Sequence, residues 1–472
     1  MYVRAPGPVR RAASLPLSLL PHSLRYGRSY RMWRERIVAL RADPVARTAY
    51  VAQRRGHLLV VAMNAPLYAG RLAPFADAIA RGIDDATWAR LPILTKDDVR
   101  NHGAAMLAVP ATSLDLVSTG GTSGNPVAFW LDKGRSVPEF AFINDAWTRS
   151  GYRDRDVRAV FRGVLIHNVA ETPMEFEPAL GELRCSPFHL TDEAMRAYAV
   201  EIRRRRIRFI HGYPSAIAIF AAWLAREGET WSQIAGLFPI SETLLDHQRA
   251  LFAQVFPNAQ VIPFYGMSEK AAFAVERAGA PGVYDFNPVY GLAELVDADG
   301  APVNTPGQRG RVIGSGFMSL GMPFLRYDTG DEATLVDAPT PANGYKLSVS
   351  GLRSRWRQEF LVSKTGGLVS ISAINIHSRR YSAVREFQFH QDTAGEATLL
   401  AALAEGATEA DAQEFLNEIA AKLAGAIDFS LDLREALPTT TRGKRQLIDQ
   451  KLDLTRFAHA DAVGSQPGSG DA

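Results

Sequence analysis

The chain has 472 residues, of which 47% are hydrophobic and 22% charged, and its formal net charge is +3. This length and composition are typical of a globular protein with two or three domains. The small net charge gives no overall field that would attract nucleic acid or an anionic membrane. The single cysteine, Cys185, excludes an intramolecular disulfide framework and any multi-cysteine metal site.

No apolar stretch approaches the roughly 20 residues that a membrane-spanning helix needs. Together with the cysteine count, this predicts a soluble protein of a reducing, cytoplasmic compartment. The segment Ser14–Leu20 superficially resembles a targeting peptide, but its apolar part is short and interrupted by Pro16. We therefore expect a packed N-terminal arm.

Residues from about Tyr30 to Asn101 have amphipathic helical spacing and predict a largely helical arm within residues 1–110. Leu91–Val99 predicts a loop that leads into a capped helix. Short β-like runs then alternate with helical patterns from about Asp115 to Leu335. The runs are 157–166, 209–210, 236–240, 260–265, 293–296 and 311–314. This alternation predicts an α/β core with mostly parallel sheets.

The character of the chain changes at the charged segment Arg353–Glu359. We predict a large N-terminal domain over residues 1–352 and a small α+β C-terminal lid domain over residues 353–457. The small domain should contain strands near Phe387–His390 and Thr398–Leu403 and a helix at about Glu409–Leu423. Residues 458–472 have linker composition and predict a disordered tail.

A hydroxyl-rich glycine segment follows the first β-like run. Its residues are Ser118, Thr119, Gly120, Gly121, Thr122, Ser123 and Gly124. Glycines allow backbone N–H groups to approach a phosphate, and Ser and Thr hydroxyls add uncharged donors. The segment favours nucleotide binding, although a flexible surface turn has the same composition.

A second segment lies where a strand would lead into a helix, the position of ligand sites in open α/β sheets. It consists of Phe264, Tyr265, Gly266, Met267, Ser268 and Glu269. The aromatic pair could cover an adenine ring, and a carboxylate near phosphates favours an intervening Mg²⁺. A serine-hydrolase elbow is disfavoured because Lys270 replaces its second glycine.

Two further segments carry single charged residues. Asp331 ends the turn Asp328–Asp331 and could accept hydrogen bonds from both hydroxyls of a ribose, although such a turn is also common without a ligand. Lys444 lies on a glycine-containing stretch of the C-terminal domain. Most lysines in such places are simply solvated.

In this order, the four segments resemble the adenylate-forming superfamily of acyl-CoA synthetases. Within it they are similar to the phenylacetate–CoA ligase and capsular-polysaccharide-biosynthesis-type branch. The resemblance implies that residues 119–124 bind ATP phosphates, Tyr265 contacts adenine, Glu269 holds Mg²⁺, Asp331 binds ribose and Lys444 is catalytic. It also implies an acid–thiol ligase that uses ATP, Mg²⁺ and CoA.

Shorter matches support the narrower branch. Leu91–Lys96 is similar to its N-terminal signature. The segment with His211, Tyr213 and Pro214 is similar to the one that lines the family's substrate and nucleotide pocket. The segment with Ser241 and Glu242 is similar to the loop that packs beside the adenine. The hinge motif is blurred, and Arg355 and Glu359 are its best candidates. Gly121, Asn125 and Asp328 depart from the usual family residues.

Several alternatives remain open at this point. The resemblance implies an aryl or arylacetic acid, but an amine, a sugar amino group or a carrier protein could accept the acyl group instead of CoA. The aromatic residues Phe140, Phe142, Trp147 and Tyr213 could line an acid pocket, although we favour a core position for them. A non-catalytic nucleotide-binding scaffold is the alternative from another class, and a homodimer is possible.

Nucleic acid is not an expected partner. The concentrated basic run, Arg203–Arg206 with Arg208, lacks interleaved aromatic residues. We expect it to form the solvated face of a helix that precedes the apolar segment near Phe209.

Overall fold

The computed structural model describes residues 16–17, 20, 24, 26–118, 127–153, 155–164, 166, 172–353, 359–370, 383–437 and 447–457. The first elements confirm the helical arm. They are α1 (Gly27–Ala42), α2 (Pro44–Ala62), α3 (Pro66–Leu72), α4 (Ala76–Arg81), α5 (Asp85–Ala89) and α6 (Lys96–His102). Thr95 and Asp98 form a capping box at the start of α6, as the sequence predicts.

Two antiparallel strands, β1 (Leu114–Ser118) and β2 (Ala128–Asp132), follow the arm. Ser118 pairs with Ala128 at the end of this ladder. The glycine-rich residues 119–126 connect the two strands and lie outside the described residues. Helix α7 (Ser136–Trp147) comes next and packs against α1.

A six-stranded sheet forms the centre of the α/β region. Its elements in chain order are β3 (Arg158–Phe161), β4 (Met174–Glu177), β5 (Glu182–Cys185), α8 (Asp192–Arg204), β6 (Phe209–Gly212), α9 (Pro214–Arg226), β7 (Gly236–Pro239), α10 (Asp246–Val255) and β8 (Gln260–Val261). The strand order is β4-β5-β3-β6-β7-β8, and only the edge strand β4 is antiparallel. The carboxyl ends of the parallel strands therefore meet at one edge, where ligands bind in such sheets.

A seven-stranded sheet follows, and all of its ladders are antiparallel. Its strands are β9 (Phe264–Gly266), β10 (Phe273–Glu276), β11 (Val283–Phe286), β12 (Gly291–Val296), β13 (Arg309–Gly316), β14 (Tyr327–Asp337) and β15 (Ser348–Arg353). The runs at 293–296 and 311–314 are strands of this sheet, so their assignment to a parallel sheet is wrong. Short apolar runs indicate burial but not the direction of pairing.

The C-terminal part is α+β, as predicted. Its elements are β16 (Phe360–Val362), β17 (Leu368–Ser370), β18 (Val384–Thr393), β19 (Glu396–Leu403), α11 (Glu409–Leu423), β20 (Asp428–Leu433) and β21 (Ile448–Gln450). The two expected strands and the expected helix are confirmed. The proposed tail, 458–472, lies outside the described residues. The largest hydrophobic cluster contains side chains both from the six-stranded sheet region and from this C-terminal part.

The basic run at the end of α8 pairs with acidic residues of the same chain. Arg203 contacts Glu229, while Arg204 and Arg205 contact Glu201. Arg203 and Arg204 are exposed residues of the last turn of α8, as expected of a solvated helix face, whereas Arg205 and Arg206 follow the helix. Within the described ranges, no single helix has the length and apolarity to cross a membrane, while one sharply bent pair, Pro44–Ala62 with Pro66–Arg81, passes on length and composition alone.

Candidate active site

The carboxyl ends of β3 and β6 bring a histidine and an arginine together. The Nδ1–H of His211 donates to the carbonyl of Phe238 at 2.8 Å, which leaves Nε2 to accept from Nη1 of Arg162 at 3.3 Å. Burial, with Arg162 and Arg158 nearby, holds the pKa of His211 well below its ordinary value. His211 is therefore a neutral imidazole with a defined tautomer.

The next residues of this segment depend on a close backbone approach. A Cβ at Gly212 would lie 2.3 Å from the carbonyl oxygen of Phe161, so only glycine allows β6 to pair with β3 here. The hydroxyl of Tyr213 accepts from the backbone N–H of Gly163 at 3.2 Å, and Pro214 begins α9. The pairing thus fixes Tyr213 above the sheet edge.

The segment after β7 joins the same edge. Ser241 has a φ of 69°, a left-handed conformation that is uncommon for a serine and often marks a functional turn. One carboxylate oxygen of Glu242 accepts from the backbone N–H of Ser215 at 3.1 Å, in the first turn of α9. The structure therefore places His211, Tyr213 and Glu242 beside one another, although they come from two separate sequence motifs.

A tyrosine–carboxylate pair joins β9 and β14, which are not neighbours in the sheet. The hydroxyl of Tyr265 donates to Oδ2 of Asp331 at 2.8 Å, and the backbone N–H of Asp331 donates to the Thr329 hydroxyl at 3.1 Å. Burial raises the pKa of Tyr265 well above its ordinary value, and Asp331 and Glu269 add to the rise. Tyr265 therefore remains a protonated donor that orients Asp331.

A second pair of the same kind lies beside the first. The hydroxyl of Tyr327 donates to Oε1 of Glu269 at 2.8 Å, and Glu269 is 7% exposed. Burial raises the pKa of Tyr327 well above its ordinary value, with Glu269 as the next largest cause and Tyr265 also contributing. The two phenols and two carboxylates therefore form one electrostatically coupled group. Sequence reasoning assigned no role to Tyr327.

The Leu91–Lys96 segment docks directly on this group. The Leu94 N–H donates to the Arg326 carbonyl at 3.0 Å, and the Asp328 N–H donates to the Leu94 carbonyl at 2.8 Å. The Arg326 side chain is 1% exposed and donates to the carbonyls of Ala89 and Leu91, both at 2.6 Å. Residues 328–331 lie within β14, where its pairing with β13 is irregular, so they form an irregular part of a strand and not the predicted turn. The helical arm thus holds the part of β14 that carries Asp331.

Asp328, one of the departures from the family pattern, has a structural role. It forms an ion pair with Arg311 on the neighbouring strand β13. Its other carboxylate oxygen accepts from the N–H of Gly330 at 2.9 Å, within the same irregular part of β14. Asp328 therefore stabilises the backbone next to Asp331.

Helix α7 connects the two sheets at this edge. Glu139 near its start forms an ion pair with Lys270 at 2.7 Å, directly after Glu269. Trp147 at its end stacks on Phe238 and lies 5.0 Å from the His211 ring. Phe142 and Trp147 are both 1% exposed, so they belong to the core, as we favoured.

Among the other candidates, Phe264 and Gly266 lie on β9, and Met267 and Ser268 follow it. Eight candidates lie outside the described residues. These are Thr119, Gly120, Gly121, Thr122, Ser123, Gly124, Arg355 and Lys444. Their flanks are described: Ser118 is buried at the end of β1, and Leu437 and Leu447 are buried on either side of the segment with Lys444. Glu359 accepts from the N–H of Ile448 at 2.8 Å, which ties the hinge region to β21.

Two basic residues near the site were not predicted from the sequence to have a role there. Arg162 contacts His211, and Lys422 on α11 lies within electrostatic reach of Arg162. Burial lowers the pKa of Lys422 to about 8, and Arg162 acts in the same direction. Neither residue belongs to a recognisable motif, because each acquires its surroundings only through tertiary packing.

Comparison with known proteins agrees with this architecture. A crystal structure of 2-hydroxyisobutyryl-CoA ligase in complex with 2-HIB-AMP and CoA, in the thioesterification state, matches with a TM-score of 0.51 and 16% identity, covering 87% of this chain and 91% of that chain. The chain has the fold of the adenylate-forming enzymes. The α/β fold class predicted from the sequence is therefore confirmed, although the sheets are mixed and not mostly parallel.

One curated protein matches most of the chain in sequence. The chain is 23% identical to Protein CapK of Staphylococcus aureus over 365 residues, which is 76% of this chain and 79% of CapK. No protein-family model matches the chain. The resemblance to adenylate-forming enzymes, and to their capsular-polysaccharide-type members, is confirmed by these comparisons.

The described residues of the candidate site offer few ligands for a metal ion. Within the described part of the chain, no group of three or more His, Cys, Asp or Glu side chains could hold a metal. Glu269 offers one carboxylate, of which Oε1 is already bonded to Tyr327. Mg²⁺ commonly binds through one or two carboxylates together with substrate phosphates and water. Glu269 would therefore hold Mg²⁺ only when the phosphates are present.

Proposed function

We propose that the protein activates a carboxylic acid with ATP and then transfers the acyl group to a thiol, for which CoA is the leading candidate. The observation that carries the proposal is the coupled group of Tyr265, Asp331, Tyr327 and Glu269 at one edge of an adenylate-forming fold. One carboxylate is suited to ribose hydroxyls and the other to a magnesium-bound phosphate.

In the first half-reaction, a carboxylate oxygen of the acid attacks the α-phosphorus of ATP. A bond forms between this oxygen and the α-phosphorus. The bond between the α-phosphorus and the oxygen that bridges it to the β-phosphate breaks, and pyrophosphate leaves. Mg²⁺, when bound, would neutralise charge on the phosphates. Asp331, oriented by Tyr265, would hold the ribose so that the reacting atoms are in line.

In the second half-reaction, a thiolate attacks the acyl carbon and AMP leaves with the bonding electron pair. We propose that Lys444 stabilises the charge that develops in the first half-reaction. We further propose that residues 353–457 form a small domain that must close to bring Lys444 to the nucleotide. The neutral imidazole of His211 and the hydroxyl of Tyr213 would line the acid and nucleotide pocket.

The sequence resemblance supports aryl and arylacetic acids as the first substrates to test. The experiment is pyrophosphate release from Mg·ATP with these acids and with fatty and amino acids, with and without CoA. We expect acid-dependent release, and AMP with acyl-CoA when CoA is present. Amines and amino sugars replace CoA in a parallel series, because the acceptor is the less determined substrate.

Two variants separate the roles of the site residues. Lys444→Ala should abolish pyrophosphate release while ATP still binds, and Asp331→Asn should weaken ATP binding itself. Acid-dependent release that is unchanged in Lys444→Ala would show that this lysine is not catalytic. If the folded wild-type protein binds ATP but releases no pyrophosphate with any acid, the non-catalytic scaffold is the better description.

A further inference from the structure

A cationic groove lies between α1 and α2, on the helical arm. It has a volume of about 420 Å³ and is lined by Arg36, Tyr50, Gln53, Arg54 and His57. Among the described residues, none of those that line it is a carboxylate. The Arg36 guanidinium stacks at 4.8 Å from the ring of Trp33 and 5.8 Å from the ring of Tyr50. Two arginines therefore face one space that has no acidic side chain in its described lining.

The arginines are held in place but are not neutralised. Arg54 donates through Nη2 to the Phe317 carbonyl, and its Nε is buried without a hydrogen-bond partner among the described residues. Burial lowers the pKa of Arg54, and Arg36 acts in the same direction. Like charges brought together in this way raise the free energy of the fold unless an anion binds between them.

Exposed apolar side chains border the same groove. Met32 lies one turn before Arg36 on α1, and Val60 lies one turn after His57 on α2, so helical spacing places both at its rim. Met32 is 42% exposed and Val60 is 60% exposed. Of the nine exposed large apolar side chains in the described residues, five lie on these two helices or at the C-cap of α2: Met32, Val38, Val45, Val60 and Met63.

Positive charge is concentrated in the same part of the chain. Residues 1–42 contain nine arginines and a single acidic residue, Glu35, although the whole chain has a formal net charge of only +3. The remainder of the chain is therefore net negative. From the small net charge of the whole chain we expected no attraction to an anionic surface. The N-terminal arm is nevertheless strongly basic, because its positive charge is offset by negative charge elsewhere in the chain.

We propose that the α1–α2 face docks the protein onto an anionic phospholipid surface, with the phosphate of a lipid headgroup bound between Arg36 and Arg54. Met32 and Val60 would enter the interfacial layer beside that headgroup. A water-soluble phosphate would match the arginines but leaves the apolar rim without a partner. The face would lie on the membrane rather than cross it, because Leu58 and Leu59 of α2 are fully buried in the protein.

The test is cosedimentation of the full chain with vesicles of phosphatidylglycerol or of phosphatidylcholine. Wild-type protein should bind the former and not the latter, and binding should weaken with salt. The double variant Arg36→Gln/Arg54→Gln should bind about thirtyfold more weakly, the loss expected when two arginines leave an anionic bilayer surface. Arg196→Gln/Arg226→Gln, which removes two exposed charges from α8 and α9, should bind like the wild type.

A second variant guards against misfolding of the first. Met32→Gln/Val60→Gln changes only exposed side chains and should reduce vesicle binding severalfold while the circular dichroism melt is unchanged. Full vesicle binding by this variant overturns the proposal, as does equal loss in both arginine pairs. Wild-type binding of inorganic phosphate without vesicle binding also overturns it, in favour of a site for a soluble phosphate compound.

Discussion

The hydrogen bond from Tyr265 to Asp331 leads to a measurable prediction about nucleotide binding. Tyr265→Phe removes the phenol that orients Oδ2 of Asp331 at 2.8 Å and changes little else, because the ring still packs on Phe286. Hydrogen bonds to charged groups contribute about 1.5–3 kcal/mol. Water can replace part of this at a half-buried site, so we expect ATP affinity to fall by about 1.4 kcal/mol, or roughly tenfold.

The assay is calorimetric titration with ATP and with 3′-deoxy-ATP, which lacks one ribose hydroxyl. If Asp331 binds the ribose, the wild type should prefer ATP strongly, and Tyr265→Phe should lose most of that preference. Tyr284→Phe is the matched control, since Tyr284 lies on β11 of the same sheet without a hydrogen bond to Asp331. Equal preference for ATP in wild type and Tyr265→Phe would refute this account of the site.

Three further substitutions test the framework around the site. Burial lowers the pKa of Lys422 to about 8 in the folded protein. The Lys422 amine therefore binds its proton more tightly in the unfolded chain than in the folded one. Wild-type stability should therefore rise from pH 8 to pH 10, and Lys422→Met should gain about 2 kcal/mol at pH 7 but little at pH 10. Urea unfolding measures this against the exposed control Lys364→Met, and a gain that does not vary with pH contradicts it. Gly212→Ala would place a Cβ 2.3 Å from the Phe161 carbonyl oxygen. It should lower the free energy of unfolding by about 3 kcal/mol and abolish ATP binding. An unchanged melting temperature would show that β3 and β6 can separate without cost. Arg326→Met removes a buried cation that donates to two carbonyls. It should lower the free energy of unfolding by about 3 kcal/mol and speed proteolysis after Leu91. Unaltered protease resistance would mean that other contacts hold the helical arm in place.

The parts of the fold that depend on local pattern could be predicted from the sequence. The helix at Glu409–Leu423 agrees with α11 because Thr408 and Asp411 form a capping box at its start. The Thr95 cap locates α6 in the same way. Both signals lie within a few residues of the element that they define.

Features that depend on distant partners could not be predicted. Val312 and Ile313 were recognised as strand residues, but their antiparallel neighbours are set by the order of seven strands. Tyr327 on β14 meets Glu269, which follows β9, although these strands are not neighbours in the sheet, and Arg162 meets His211 across two neighbouring strands. No spacing rule links such residues, so the donors that orient the proposed functional groups emerged only from the structure.

The short bridge between Leu94 and Tyr327 also bears on the order in which the protein matures. The part of β14 that carries Asp331 is anchored by a segment made early in synthesis, whereas β14 itself is made much later. A nascent chain that has emerged only as far as the six-stranded sheet would contain the proposed phosphate-binding residues 119–124 but not the anchored strand with Asp331. Contacts between such distant segments form slowly. We therefore expect nucleotide binding to appear late in folding, after Leu94 and Tyr327 have come into contact.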